Sequence, residues 1–321
     1  MMSKKFGNLF KKTALWAVAL VVLLGCSLMV TGCGSGSESG AGDEPTAEDS
    51  IYGNEALGID PAVDEALAGY RNIAIYGLDS NHNSDIIMVF SLHKDSNKAK
   101  VFAIYDKTLV KSGEELMPLS EVYSQGMETS LAAINRTFDL NVYEAVAFDR
   151  PTIKKIVQLV HGPEIDLPEG DGGMTPEEKA TRDETSFEAL FLLAQKAETE
   201  QNLEVFEQVA DDMESNMNKN RMTGLLEDIA KHEIELCPGT PEEYEEVPII
   251  EVVKAGSEAG GESETGGDAV SGATEDDGFT VLIADDLEDC VEELHETIFG
   301  QEDYQVSDAV KEFQKEIDTW K

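Results

Sequence analysis

The chain has 321 residues, enough for one large domain or two small ones, and its charge is one-sided: 65 Asp and Glu against 24 Lys and Arg, a formal net charge of −41. Nucleic acids and anionic lipid headgroups both require a basic surface, so the composition argues against either as a direct partner. Arginine stands only at positions 71, 136, 150, 182 and 221.

The N-terminus reads as an export signal. Lys4, Lys5, Lys11 and Lys12 form a positive region ahead of the apolar run 14–24. Val30-Thr31-Gly32-Cys33 then has the apolar, small, small, Cys order of a bacterial lipobox, and Leu23-Leu24-Gly25-Cys26 is a second candidate. Cys33 is preferred as the lipidation site because a flexible Gly/Ser/Glu stretch begins directly after it. An uncleaved signal anchor over about residues 13–30, close to the roughly 18 residues a span needs, is the alternative. Both place the domain on the outer face of the membrane. The predicted organisation is a signal peptide over 1–33, an acidic tether over 34–60, and a domain over 61–321 carrying an acidic Gly/Ser insert at 256–278.

Residues 61–70 read as a short helix. Ile73, Ile75 and Tyr76 form a strand that stops at Gly77 and hands over to Asp79 and Ser80. Ser84 and Asp85 open a second apolar run, 86–92. The polar turn 94–97 joins it to a third run, 100–105, which makes a hairpin. Asp79 and Asp85 then share one end of a sheet, where loops carry chemistry. Further on, 127–138 has helical spacing, 142–148 is a strand, and 151–161 is a helix with Pro at its start and Ile153, Ile156, Val157 and Val160 on one face. An extended exit over 163–168 follows.

The texture changes after residue 168. A Gly/Asp loop leads to Thr175, which heads a capping-box pattern for helix 176–196. Helices are predicted over 202–217 and 222–232, strands over 248–253 and 279–284, and closing amphipathic helices over 285–298 and 306–320. The two strands flank the insert and form a hairpin with the insert at its tip. Strands alternating with helices predict a single α/β/α domain with a mixed central sheet flanked by helices. Cys237 and Cys290 lie in the exported part, where a disulfide is permitted; a bridge between them and two buried thiols are both open. His82, His93, His161, His232 and His295 are scattered without zinc-site spacing and read as structural or surface residues.

Residues 72–168 resemble the LytR-CpsA-Psr family of exported envelope proteins. The strand ending Gly77-Leu78-Asp79-Ser80, the pair Ser84-Asp85, the hairpin return 103–108, the segment Val122-Tyr123-Ser124-Gln125-Gly126 and the block 141–168 carry the resemblance, which continues weakly towards Gly300. It implies transfer of a glycopolymer from a polyprenyl-pyrophosphate carrier to peptidoglycan. Arginines would grip the pyrophosphate, carboxylates would hold a divalent ion, usually Mg2+, and the polyprenyl tail would lie in an apolar tunnel.

Carried over by position, Asp79 and Asp85 match the family's two carboxylates and its metal ligands, with Ser84, Tyr123 and Arg150 at ligand-binding positions. The bland alternative is an Asp that bonds its own turn. The arginines do not carry over. Asp106 stands at the family's Arg position, Asn83 at the Arg before the Ser-Asp pair, and Pro118 and Ser120 at a Lys/Asn pair. Lys107 stands one residue late, and Arg182 is the one counterpart of the later arginines. Loss of a single electrostatic clamp costs about 10²–10³ in rate, and several are missing together. The expectation is therefore a catalytically degenerate relative that binds a polyprenyl or glycopolymer ligand, or an envelope partner. The alternatives are an active phosphotransferase rebuilt around Lys107, Arg182 and metal, and a scaffold without a small ligand.

Overall fold

In the computed structural model, residues 52–53, 55–161, 208–248 and 280–319 are described. The signal, the lipobox with Cys26 and Cys33, the tether, the exit 163–168, Arg182, the helix 176–196, residues 249–253 of the predicted strand and the insert lie outside them.

Strand β1 (Tyr70–Leu78) is the centre of the molecule, and Asn72 to Leu78 are all buried. It runs antiparallel to β2 (Ser84–His93), with Ile73 opposite Phe90 and Tyr76 opposite Ile87. On its other side it runs parallel to β6 (Val142–Asp149), with Ala74 opposite Ala145 and Leu78 opposite Asp149. β2 continues antiparallel into β3 (Lys98–Ala103), which confirms the expected hairpin. The sheet order is β7-β6-β1-β2-β3-β8, with β7 (Glu214–Ser215) and β8 (Glu233–Leu236) at the edges. The predicted first strand covered only the apolar core of β1; the polar Arg71 and Asn72 extend it by pairing with Leu92 and Ser91.

Alternation along the strands divides the interior into two layers. Tyr76, Leu78, Ile87, Val89, Phe102 and Ile104 face one layer. It is closed by α3 (Met127–Phe138), α6 (Leu287–Phe299) and α7 (Asp308–Asp318). Ile73, Ile75, Phe90 and Leu92 face the other, against Ile153, Ile156 and Val157 of α4 (Arg150–His161) and Leu225 and Ile229 of α5 (Lys219–Lys231). This is the predicted mixed sheet flanked by helices. Each fully buried Leu or Ile in these layers contributes about 1.5–3 kcal/mol of transfer free energy.

The helix expected over 202–217 is corrected within its described part. Residues 208–210 are helical, but Glu214 and Ser215 form β7, antiparallel to Ala147 and Val146. Asn216 adds to this pairing, accepting from the Ala145 N–H and donating to the Tyr143 carbonyl. The exposed edge of β6 needs hydrogen-bond partners, and that need overrides the local helical pattern. β8, which sequence reasoning missed, satisfies the edge of β3 in the same way. A second unforeseen element is the hairpin of β4 (Leu109–Ser112) and β5 (Glu115–Pro118), turning at Gly113 with φ +64°. It leads into the short α2 (Leu119–Val122) and a 3₁₀ turn over Tyr123–Gln125. The helix predicted over 61–70 is α1 (Pro61–Ala66), N-capped by Asp60, and is shorter than expected: residues 67–69 turn and Tyr70 already belongs to β1. Of the strand expected over 248–253 only residue 248 is described, at the end of β9 (Tyr244–Pro248), which begins four residues earlier and pairs antiparallel with β10 (Thr280–Ala284). Among the described residues no helix is long and apolar enough to cross a membrane.

Candidate functional site at the carboxyl ends of β1 and β6

β1 and β6 are parallel, and β1 is flanked on its other side by an antiparallel strand. The crevice beyond the carboxyl ends of parallel strands is where α/β sheets usually place ligands. The loop 79–83, the start of β2, the 3₁₀ turn at Tyr123, the start of α4 and β7 supply side chains there.

Asp79 folds its own loop. Its Oδ1 accepts from the Asn81 N–H at 2.8 Å and the Asn83 N–H at 2.9 Å, and its backbone N–H donates to the Asn83 carbonyl at 2.8 Å. The turn-bonding alternative weighed for this residue is thus the arrangement present. Asp85 is gripped by the guanidinium of Arg150; the Arg150 side chain is buried and that of Asp85 is only 10% exposed. A β-irregularity between Gly77 and Leu78, where Leu78 lies opposite Ser84, sets the start of β2. The Ser84 hydroxyl is buried and donates to the Ser120 carbonyl at 3.5 Å.

Tyr123 is fully buried under this end. Its ring lies 4.8 Å from Tyr76 and 5.5 Å from His82, and its hydroxyl donates to Glu214 Oε2 at 3.2 Å. Burial first, and then the neighbouring carboxylate, push the Tyr123 phenol far up, so it stays a neutral donor. His82 carries φ +66°, a left-handed conformation rare outside glycine, and its Nε2 lies 3.6 Å from Glu214 Oε2. His82 and Glu214 were missed as members of this site. No local signal marks Glu214, which reaches it only through the pairing of β7 with β6.

Lys107 lies in the loop after β3, near this end because the Ser120 N–H donates to the Asp106 carbonyl at 2.7 Å. Its side chain is exposed and makes no hydrogen bond or ion pair among the described residues. The structure therefore brings together Asp79, Ser84, Asp85, Tyr123 and Arg150. One described guanidinium is among them, and it is committed to Asp85. As to the implied Mg2+, the Asp79 carboxylate is turned to backbone amides and Asp85 to Arg150, and among the described residues no group of three His, Cys, Asp or Glu side chains is placed to hold a metal ion. This arrangement does not fit the ion. Cys237 and Cys290 are free thiols, each pushed up to about 11 chiefly by burial, so neither serves as a thiolate at neutral pH.

No protein-family model matches the sequence, and no curated protein does. Solved structures do. A transcriptional regulator from Enterococcus faecalis superposes with a TM-score of 0.53 at 13% identity, over 79% of this chain and 95% of its own. TagV of Bacillus subtilis gives 0.51 at 14% identity, over 74% and 98%. A protein from Streptococcus agalactiae gives 0.50 at 16% identity, over 78% and 92%. At such identities the likeness is one of fold, and the fold is the LytR-CpsA-Psr fold that residues 72–168 suggested.

Proposed function

We propose that this is a cell-envelope protein, exported and held on the outer face of the membrane by lipid on Cys33. It retains the fold of the glycopolymer ligases without their arginine-dependent pyrophosphate chemistry. The sheet end then serves to bind a polyprenyl- or glycan-bearing ligand, or an envelope partner. One observation carries this reading: the two carboxylates that would organise a metal and a pyrophosphate are occupied by the protein itself, Asp79 by its loop and Asp85 by Arg150. A pyrophosphate needs several cationic donors, and a guanidinium already bonded to a carboxylate supplies little net charge. The acidic chain argues against DNA as a partner, although the structural neighbour from Enterococcus faecalis is described as a transcriptional regulator.

The test is incubation of the purified domain with a polyprenyl-pyrophosphate glycolipid and magnesium. The expected result is no phosphate release above buffer, with the lipid co-purifying in native mass spectra. Release that Asp85→Ala abolishes overturns the reading.

A further inference from the structure

His82 stands at φ +66°, in the left-handed region that glycine occupies freely and other residues only at a cost. Its ring makes no hydrogen bond among the described residues. It meets the Tyr123 ring, with centroids 5.5 Å apart, and its Nε2 lies 3.6 Å from Glu214 Oε2, beyond hydrogen-bond length. The loop does not require this side chain. Asp79 Oδ1 closes it through the Asn81 and Asn83 amides, and His82 adds a backbone N–H to the Asp79 carbonyl at 3.1 Å, which glycine would supply equally. A strained position filled by an exposed ring that the fold does not use points to a role outside the fold.

Glu214 meets that ring from β7. The buried Tyr123 hydroxyl donates to Glu214 Oε2 at 3.2 Å and so sets the carboxylate, while Oε1 has no hydrogen bond or ion pair among the described residues. The side chains of His82 and Glu214 are 53% and 54% exposed, so half of each stays open to a ligand at the crevice beyond β1 and β6. A carboxylate oxygen accepts hydrogen bonds and gives none, an imidazole Nδ1 gives or accepts one, and the imidazole face takes apolar C–H groups. Together these features fit a sugar, which offers neighbouring hydroxyls and an apolar C–H face. They do not fit phosphate: Glu214, Asp79 and Asp85 are carboxylates, and the Arg150 guanidinium is engaged by Asp85.

We propose that His82 and Glu214 form a contact for an uncharged sugar, so that the sheet end takes the glycan part of its ligand and not the phosphate. This rests on the reading of the sheet end as a ligand site and narrows the ligand to an uncharged saccharide. Glu214 Oε1 accepts from one sugar hydroxyl, His82 Nδ1 bonds a second, and the imidazole face covers the C–H side of the ring. Tyr123 acts through Glu214, as the donor that fixes its orientation, and is a positioning residue.

The experiment titrates the full chain in detergent with chitotetraose, an uncharged tetrasaccharide, read by saturation-transfer NMR, and in parallel with the polyprenyl-pyrophosphate glycolipid, read by native mass spectrometry. Chitotetraose should bind with an affinity that changes less than about twofold between low salt and about 0.5 M salt, because no charge pair forms. Glu214→Gln, which keeps an acceptor for Tyr123, and His82→Gly should each weaken it about tenfold. His82→Gly relieves the left-handed conformation, so its denaturant midpoint should lie at or above the parent's, whereas a histidine needed only for the fold would lower it. If the glycolipid binds but chitotetraose does not, if both variants bind chitotetraose as the parent does, or if His82→Gly loses affinity only in step with a lowered midpoint, this inference falls and the broader reading of the site stands. If neither ligand binds, both fall.

Discussion

At the start of β1 and β6, Arg71 and Arg221 grip Glu144 at 2.7 and 2.6 Å, and Arg71 also reaches Asp228 at 3.0 Å. Next to them Asn72 donates to Asn141, and Asn141 to Asp64. Asp139, buried in the left-handed conformation that ends α3, gathers Tyr304 and Ser307. At the other end of the same strands stands one described guanidinium, Arg150, bonded to Asp85 above a loop that Asp79 holds by backbone amides. A chain with few arginines has placed two of them where they tie helix α5 to the sheet, away from the end that a phosphate would need. The teaching is that a guanidinium count says little until one knows which carboxylates the guanidiniums face. Buried pairs of this kind are matched charges, costly to break from one side and nearly neutral as a whole.

The sharpest way to break the comparison is Glu144→Ala. It leaves two partly buried guanidiniums without their shared carboxylate, and should cost about 4 kcal/mol, read as a lower denaturant midpoint. Asp85→Ala should cost about 3 kcal/mol by the same reasoning, and, on the proposed reading, should leave phosphate release from a pyrophosphate lipid at the buffer level, since the Asp85 carboxylate is engaged by Arg150. Asp79→Ala removes the acceptor of two backbone N–H hydrogen bonds in one exposed loop. About 1–2 kcal/mol and faster proteolysis at residues 80–83, with the rest of the domain resistant, are expected.

Acid should distinguish the ends more gently. Burial pulls the His295 imidazole below its ordinary value of 6.5, against the Gln301 Oε1 and Asp139 carbonyl oxygens beside its ring nitrogens, which raise it. The unfolded chain therefore takes up that proton more readily than the folded one. The contribution is fully present above about pH 6.5 and is lost as pH falls from there through the lower folded value. A melting series from pH 7 to 5 should show this slope, and His295→Gln should flatten it. Smallest of all, Lys107→Ala should change stability by no more than about 0.5 kcal/mol, because its exposed ammonium has no partner among the described residues.

Some of this was legible in the chain. The hairpin of β2 and β3 followed from two apolar runs about a polar turn, and α4 from the spacing of Ile153, Ile156 and Val157 with Pro151 at its start. The position of Asp79 and Asp85 at one sheet end followed from the strands they flank. β7 and β8 were not legible: two and four residues long, they exist because β6 and β3 present open edges. His82 could have been suspected from its place one residue before the Asn83-Ser84-Asp85 run. Glu214 could not, since it stands 132 positions after His82 and arrives through an edge pairing.

By itself the sequence determined the acidic surface, the alternation that makes β1 and β2 a sheet, and the absence of the arginines at the positions where the resemblance calls for them. These are local properties, written in neighbouring side chains and their period. Only the tertiary structure decided that Arg150 would be spent on Asp85, that Arg71 and Arg221 would share Glu144, and that Asp79 would bond its own loop. The two arginine choices join charges on separate elements, and which ones meet is set by strand order and burial, where an unpaired charge costs more than any local preference can offset; the Asp79 loop is a local turn, and the structure only selected it over the ligand-facing alternative.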